Sequence, residues 1–248
     1  MADLQALIFD VDGTLAETEE AHRAAFNWVF AEQGLGWEWD QPLYGKLLAV
    51  TGGKERLRYW LEGPFGAPGA AEMLARADLG DWITSTHKRK TAIYTGLVDE
   101  GTVGLRPGVG ELIAAAREQG IRLAIATTTS LPNVEALLKV TLGKSWAKVF
   151  EVIAAGDQVK AKKPAPDVFL LALERLGLNG AEGLALEDSN NGLKSALGAG
   201  LATLITTSTY TRDETFPGAL AVVPALDSLG SGGGTILASL GRLRRGAQ

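Results

Sequence analysis

No cysteine occurs anywhere in the chain, which excludes both a disulfide framework and a thiolate metal site. Strong charge of one sign is missing too. The formal net charge is −5 over 248 residues, so nothing marks a footprint for nucleic acid or for an anionic membrane surface. The first residues lack a cationic stretch followed by an apolar core, and a secretory route is not expected. No apolar run approaches the length that spans a bilayer. The expectation is a soluble monomer of the cytoplasm, or of the plastid stroma if a transit peptide has been removed. What is present is ordinary globular composition, 46% hydrophobic and 21% charged, and enough chain for one large domain or two modest ones.

Ala6-Leu7-Ile8-Phe9-Asp10 is a short apolar run ending in acid, the pattern of a strand buried on both faces. Similar runs cover Ile121 to Ala126, Val149 to Ala154, Gly183 to Leu186 and Ala202 to Ile205, with a weaker sixth at Ala219 to Val223. Helical stretches separate several of them. Val109 to Gln119 closes on Gly120, and Ala165 to Leu176 closes on Gly177, the glycine stop of a helix end. The alternation predicts an α/β fold, a doubly wound parallel sheet covered on both faces.

About 110 residues separate Asp10 from Ile121, far more than a simple crossover uses. This insertion holds Trp28, Trp37, Trp39, Trp60 and Trp82 and shows helical periodicity, as at Ala24/Ala25/Trp28/Val29 and over 81–98. It reads as a second, α-helical domain, and Arg106-Pro107-Gly108 marks the return to the sheet. The expected division is a catalytic core at 1–16 and 100–230, a helical cap at 17–99, and a flexible tail at 231–248. In that tail Ser231 to Gly234 reads as a linker and Arg242 to Arg245 as a solvated helix end.

Asp10-Val11-Asp12-Gly13-Thr14 falls just beyond a strand's carboxyl end, where open α/β sheets present their ligands. Two carboxylates one residue apart need a cation or a proton between them in a dry site. A carboxylate can attack phosphorus when a divalent ion offsets the repulsion between anions, and a second acid can serve the leaving group and then water. Alone, Asp-x-Asp-Gly is more often a turn cap. A calcium loop of the EF-hand type is excluded, because Ala21 stands where the closing glutamate belongs.

Three later stations supply what a phosphoryl site requires. Thr127-Thr128-Thr129-Ser130 gives hydroxyls after the second strand, Lys163-Pro164 a cation after the third, and Glu187-Asp188 a second acidic pair after the fourth. Each has a bland reading as a helix cap or a solvated charge. Their order at successive strand ends does not.

That set resembles the haloacid dehalogenase superfamily, phosphatase branch, over roughly the whole chain. The resemblance implies Asp10 as nucleophile, Asp12 as acid/base, and Thr127 and Lys163, with Thr128 beside them, at the phosphoryl group. It also implies Mg²⁺ held by Asp10, Asp12 through its main-chain carbonyl, Glu187 and Asp188. Dehalogenases of the superfamily lack the second aspartate, so Asp12 points to phosphate chemistry.

In the insertion, Glu17 and His22 match positions where related sugar-phosphate mutases hold the sugar. Thr51-Gly52-Gly53-Lys54-Glu55-Arg56 reads equally as an exposed turn or as a trap for a distal anion through Lys54 or Arg56. Lys88, in the run His87-Lys88-Arg89-Lys90, faces the same choice. With 163–167 and 206–211, the Thr51 stretch is similar to CbbY-type phosphatases. That likeness implies hydrolysis of xylulose-1,5-bisphosphate, a Rubisco inhibitor, to xylulose 5-phosphate. A β-phosphoglucomutase-like mutase and, less well supported, a non-catalytic sugar-phosphate binder or receiver stay open.

Overall fold

A computed structural model describes residues 4–246. Residues 1–3 and 247–248, the outer ends of the expected core and tail, lie outside the described residues. Contacts divide the chain into two compact units, Met1–Thr18 with Val103–Gln248, and Glu19–Thr102.

The first unit is built on six parallel strands: β1 Ala6–Phe9, β2 Arg122–Ala126, β3 Val152–Ala154, β4 Gly183–Glu187, β5 Ala202–Thr206 and β6 Ala221–Val223. Their spatial order is β3-β2-β1-β4-β5-β6, with Phe9 opposite Ile125 on one side and Leu186 on the other. The strand carrying Asp10 is thus central, and the order reverses at β1, the position where doubly wound sheets open a crevice. β1 is wholly buried, as its unbroken apolar run requires. β3 is shorter than the expected 149–154, because Val149 to Glu151 turn before entering the sheet.

The helices, in chain order, are α1 Glu19–Glu32, α2 Gln41–Leu47, α3 Gly53–Glu62, α4 Ala70–Leu74, α5 Leu79–Asp99, α6 Val109–Glu118, α7 Leu131–Leu142, α8 Asp167–Leu176, α9 Asn190–Gly198 and α10 Gly233–Gly246. The last five belong to the sheet unit. Phe169 and Leu173 of α8 and Ala196 of α9 pack on Ile8, Ala124 and Ala185. α8 stops at Gly177, whose φ of 65° is the left-handed closure expected of glycine. The tail departs from expectation. Gly233–Gly246 is a helix lying on α6, with Ile236, Leu237 and Leu240 buried, and Arg244 is buried and donates to the carbonyl of Ala181. Leucine and isoleucine at helical spacing outweigh the glycines that suggested a linker.

The helical unit has its own core. Phe26, Phe30, Trp37, Trp39 and Trp60 form an aromatic cluster with ring centroids 4.6 Å apart for Phe26–Trp39 and 5.6 Å for Trp39–Trp60. The buried stripe of α1 is His22, Ala25, Phe26, Val29 and Phe30. The expected face is therefore out of phase by one residue, since Ala24 and Trp28 are exposed. The larger gain comes from burying both phenylalanines against the tryptophans.

Candidate active site

Four side chains anticipated from the sequence converge at the carboxyl ends of β1 and β4. Lys163 Nζ donates to Asp10 Oδ1 at 2.7 Å, to Glu187 Oε1 at 2.5 Å and to the carbonyl of Ala126 at 3.0 Å. Its ammonium also lies 4.9 Å from the ring centre of Phe169, which closes the apolar side of the group. Glu187 is fully buried, and its second oxygen accepts from the amide of Asp188 at 3.2 Å. Asp10, Glu187 and Asp188 offer carboxylate oxygens within 4.8 Å of one another.

Burial pushes the Asp10 carboxyl above its ordinary range, Lys163 opposes that rise and the Asp12 carboxylate adds to it. Glu187 is pushed up to about 7, burial being the larger cause and Lys163 the counterweight. Burial alone would lower the Lys163 ammonium, but Asp10 and Glu187 outweigh it and hold its pKa above normal. Three buried carboxylates against one ammonium leave negative charge uncompensated. A hard divalent cation fits that oxygen-only donor set, and a soft metal does not.

The backbone makes this approach possible at two glycines. Gly13, at φ 78°, lies where a β-carbon would collide with the Asp188 carboxylate, so the motif-one turn and the end of β4 can touch. At Gly192, on the first turn of α9, a β-carbon would fall on the Glu187 carboxylate. The Asp12 carboxyl is not part of the three-acid group and accepts from Thr18 Oγ1 at 2.5 Å. Thr127 is buried after β2, its hydroxyl accepting from the amide of Thr129 at 3.2 Å, while Thr128 is half-buried. Glu17 is 41% exposed, with one oxygen 3.4 Å from Arg106 Nε and the other accepting from the amide of Thr209.

The remaining candidates lie in the helical unit. Lys54 is exposed on the first turn of α3, which begins after Gly52 at φ 93°. Arg56 is engaged: its guanidinium donates to Tyr44 Oη at 3.1 Å and to the carbonyl of Leu47, and lies over the Tyr44 ring. Lys88 is exposed, and it is Lys90 that turns inward, buried beneath the rings of Phe26 and Tyr94 with Nζ 2.5 Å from Nδ1 of His22. The His22 ring stacks on Tyr94 with centroids 4.0 Å apart. His87 is held down to about 3 by burial first, then by Lys90, Lys54, His22 and Arg56.

Several residues at these sites were not singled out as candidates. Thr18 follows Glu17 directly, and its hydroxyl, six residues beyond Asp12, is the available signal. Lys90 was visible only as one of four residues in a polar run, where inward and outward positions cannot be separated without the helix phase. Arg106 marks a boundary in the sequence, and its position as the lone cation in the stretch 103–108 is the further signal there.

A central strand ending in a buried carboxylate, a lysine bridging it to a second acidic pair, and room for a hard cation define an enzyme of the phosphatase class on a doubly wound sheet. Residues 4–200 match the haloacid dehalogenase-like hydrolase family. A CbbY protein of Rhodobacter capsulatus is 52% identical over 226 residues, 91% of this chain and 95% of its own. The crystal structure of CbbY from Rhodobacter sphaeroides in complex with phosphate superposes with a TM-score of 0.84 at 48% identity, over 92% of this chain and 96% of that one. The mutant D10N of the same protein, in complex with xylulose-(1,5)bisphosphate, gives 0.83 at 48% identity, with 92% and 96% covered. The chain belongs to the haloacid dehalogenase-like hydrolases.

Proposed function

We propose that the protein is a Mg²⁺-dependent sugar-phosphate phosphatase working through an aspartyl-phosphate, with xylulose-1,5-bisphosphate as substrate and xylulose 5-phosphate as product, so that it clears an inhibitor of Rubisco. The observation that carries the chemistry is the Asp10–Lys163–Glu187 ion-pair chain at the end of the central strand. The likeness to a CbbY crystallised with that bisphosphate supports the choice of sugar.

In this reading an oxygen of Asp10 attacks phosphorus and the bond from phosphorus to the sugar oxygen breaks. Asp12 gives its proton to the departing oxygen, then takes one from the water that attacks the aspartyl-phosphate, which frees phosphate and restores Asp10. Lys163 and Thr127, with Thr128, bind the phosphoryl oxygens. Asp10, Glu187, Asp188 and the Asp12 carbonyl would hold Mg²⁺, which when bound neutralises charge on the transferring group. Glu17 and His22 serve the sugar. Lys54 at the start of α3, with Arg56 and Lys88, meets the second phosphate. Arg56 reaches it only by sharing its guanidinium with Tyr44.

Phosphate release is the test. Purified protein with Mg²⁺ is offered xylulose and ribulose bisphosphates, pentose and hexose monophosphates, and phosphoglycolate. Fastest release from xylulose-1,5-bisphosphate is expected. Interconversion of glucose 1- and 6-phosphates without free phosphate would favour the mutase instead. Absence of release from every ester would defeat the hydrolase reading of these residues.

A further inference from the structure

Arg106 is 8% exposed, and both terminal nitrogens of its guanidinium donate to main-chain carbonyls. One terminal nitrogen donates to the carbonyl of Gly13, to the carbonyl of Thr206 at 2.9 Å and to the Thr206 hydroxyl at 3.3 Å. The other donates to the carbonyls of Thr207 at 2.6 Å and Pro224 at 2.8 Å, while Nε faces Glu17 Oε1 at 3.4 Å. The residue's own amide donates to the carbonyl of Leu15 at 2.9 Å. One side chain therefore ties the motif-one turn to the segments leaving β5 and β6.

We propose that Arg106 is a positioning residue for phosphoryl transfer, one that fixes the turn carrying Asp12 and aims Glu17. The inference rests on the reaction proposed above. The turn needs such a hold. Its α-carbon at Gly13 is pressed on Asp188, so the peptide leaving Gly13 is constrained on one side by the candidate metal ligand and on the other by the guanidinium. The amides of Gly13, Leu15 and Ala16 bond only within 11–16, a loop of a few residues that carries little stiffness of its own. A planar fork with five donors can hold four carbonyls on three segments, and an ammonium with three cannot. Glu17, at the end of the same turn, gets its direction from Arg106 and from the Thr209 amide together. Arg106 touches neither Asp10 nor the acidic trio, so it acts through the peptide and through Glu17.

The test compares Arg106→Lys with Arg122→Lys. Arg122 binds Glu151 and the Leu176 carbonyl at the amino-terminal end of β2. With kcat taken per folded molecule, Arg106→Lys should lose at least tenfold in kcat on both a small aryl phosphate and a sugar phosphate. Its KM should rise only for the sugar ester, through Glu17. Glu17→Gln should raise the sugar KM in the wild type and add little in the Arg106→Lys background. Hydrogen exchange at Gly13, Leu15 and Ala16 should quicken several-fold in Arg106→Lys and not in Arg122→Lys. An unchanged exchange rate, an unchanged kcat per folded molecule or fully additive Glu17 effects would overturn the proposal. So would loss of cooperative unfolding in Arg106→Lys, since Arg106 would then hold the fold together and not aim the turn. Failure of the wild type to release phosphate would defeat the assigned reaction alone, and the exchange rates would still decide whether Arg106 holds the turn.

Discussion

In the sheet unit, Lys163 is buried against two carboxylates. In the helical unit, Lys90 is buried beside His22 and over the rings of Phe26 and Tyr94. The first arrangement answers charge with charge and still leaves a surplus of acid, which suits a site that must accept a cation and an anionic substrate. The second packs the Lys90 side chain against the π-faces of Phe26 and Tyr94 and the ring of His22, within an aromatic core. Substitutions in the sheet unit should therefore act through chemistry and ion binding. Those in the helical unit should act through packing and selectivity.

The sharpest way to break that contrast is Asp10→Asn. It should reduce phosphate release more than about 10³-fold, because a carboxamide neither attacks phosphorus nor binds a cation as a carboxylate does. Asp12→Asn should also stop turnover, with at most slow phosphoenzyme formation seen by phosphate labelling. Lys163→Met comes next. With Asp10 and Glu187 left buried without their cation, stability should fall by about 3–5 kcal/mol, measured by denaturant unfolding. Added Mg²⁺ should restore part of the loss.

His87 probes the other side. Its pKa falls from 6.5 in the unfolded chain to about 3 in the folded one, so the unfolded state takes up a proton that the folded state refuses. Stability is unaffected above 6.5 and declines as pH drops toward 3. The cost from this group is about 2 kcal/mol at pH 5, and His87→Gln should flatten that slope in thermal unfolding between pH 7 and 4. Lys54→Ala should raise KM about tenfold for a bisphosphate, roughly the worth of one charge-assisted contact, and leave a generic monophosphate nearly untouched. Equal losses on both would remove Lys54 from substrate selection. Smallest of all, Trp28→Ala, at a residue 54% exposed, should move stability by less than about 0.5 kcal/mol, as calorimetry can check.

The same division governs what could be read in advance. β1, β2, β4 and β5 were legible because strands buried on both faces leave unbroken apolar runs, and their ends named Asp10, Thr127, Glu187 and Asp188. The loop residue Lys163 was legible from its proline. The helical unit resisted because alanine and tryptophan tolerate either face of α1, and only packing against Trp39 sets the phase. The bond from Arg56 to Tyr44, twelve residues earlier, is likewise illegible in the sequence, because it depends on how α2 and α3 pack. Arg106 was illegible as a clamp because its partners are main-chain carbonyls, which any sequence supplies. The tail reads as a linker because its glycines cluster at 232–234, while the leucines that make it a helix lie further on.

The central position of β1 bears on how the molecule comes into being. β1 is enclosed by β2 and β4, and the Glu187 and Asp188 that face Asp10 follow it by more than 170 residues of chain. Pairings so distant along the chain form late in folding. A chain ending before β4 would carry the reactive aspartate without Glu187, Asp188 and the Gly192 turn of α9 that complete its setting. Activity should thus appear only once β4 has joined β1, and a fragment ending before β4 should retain none of it.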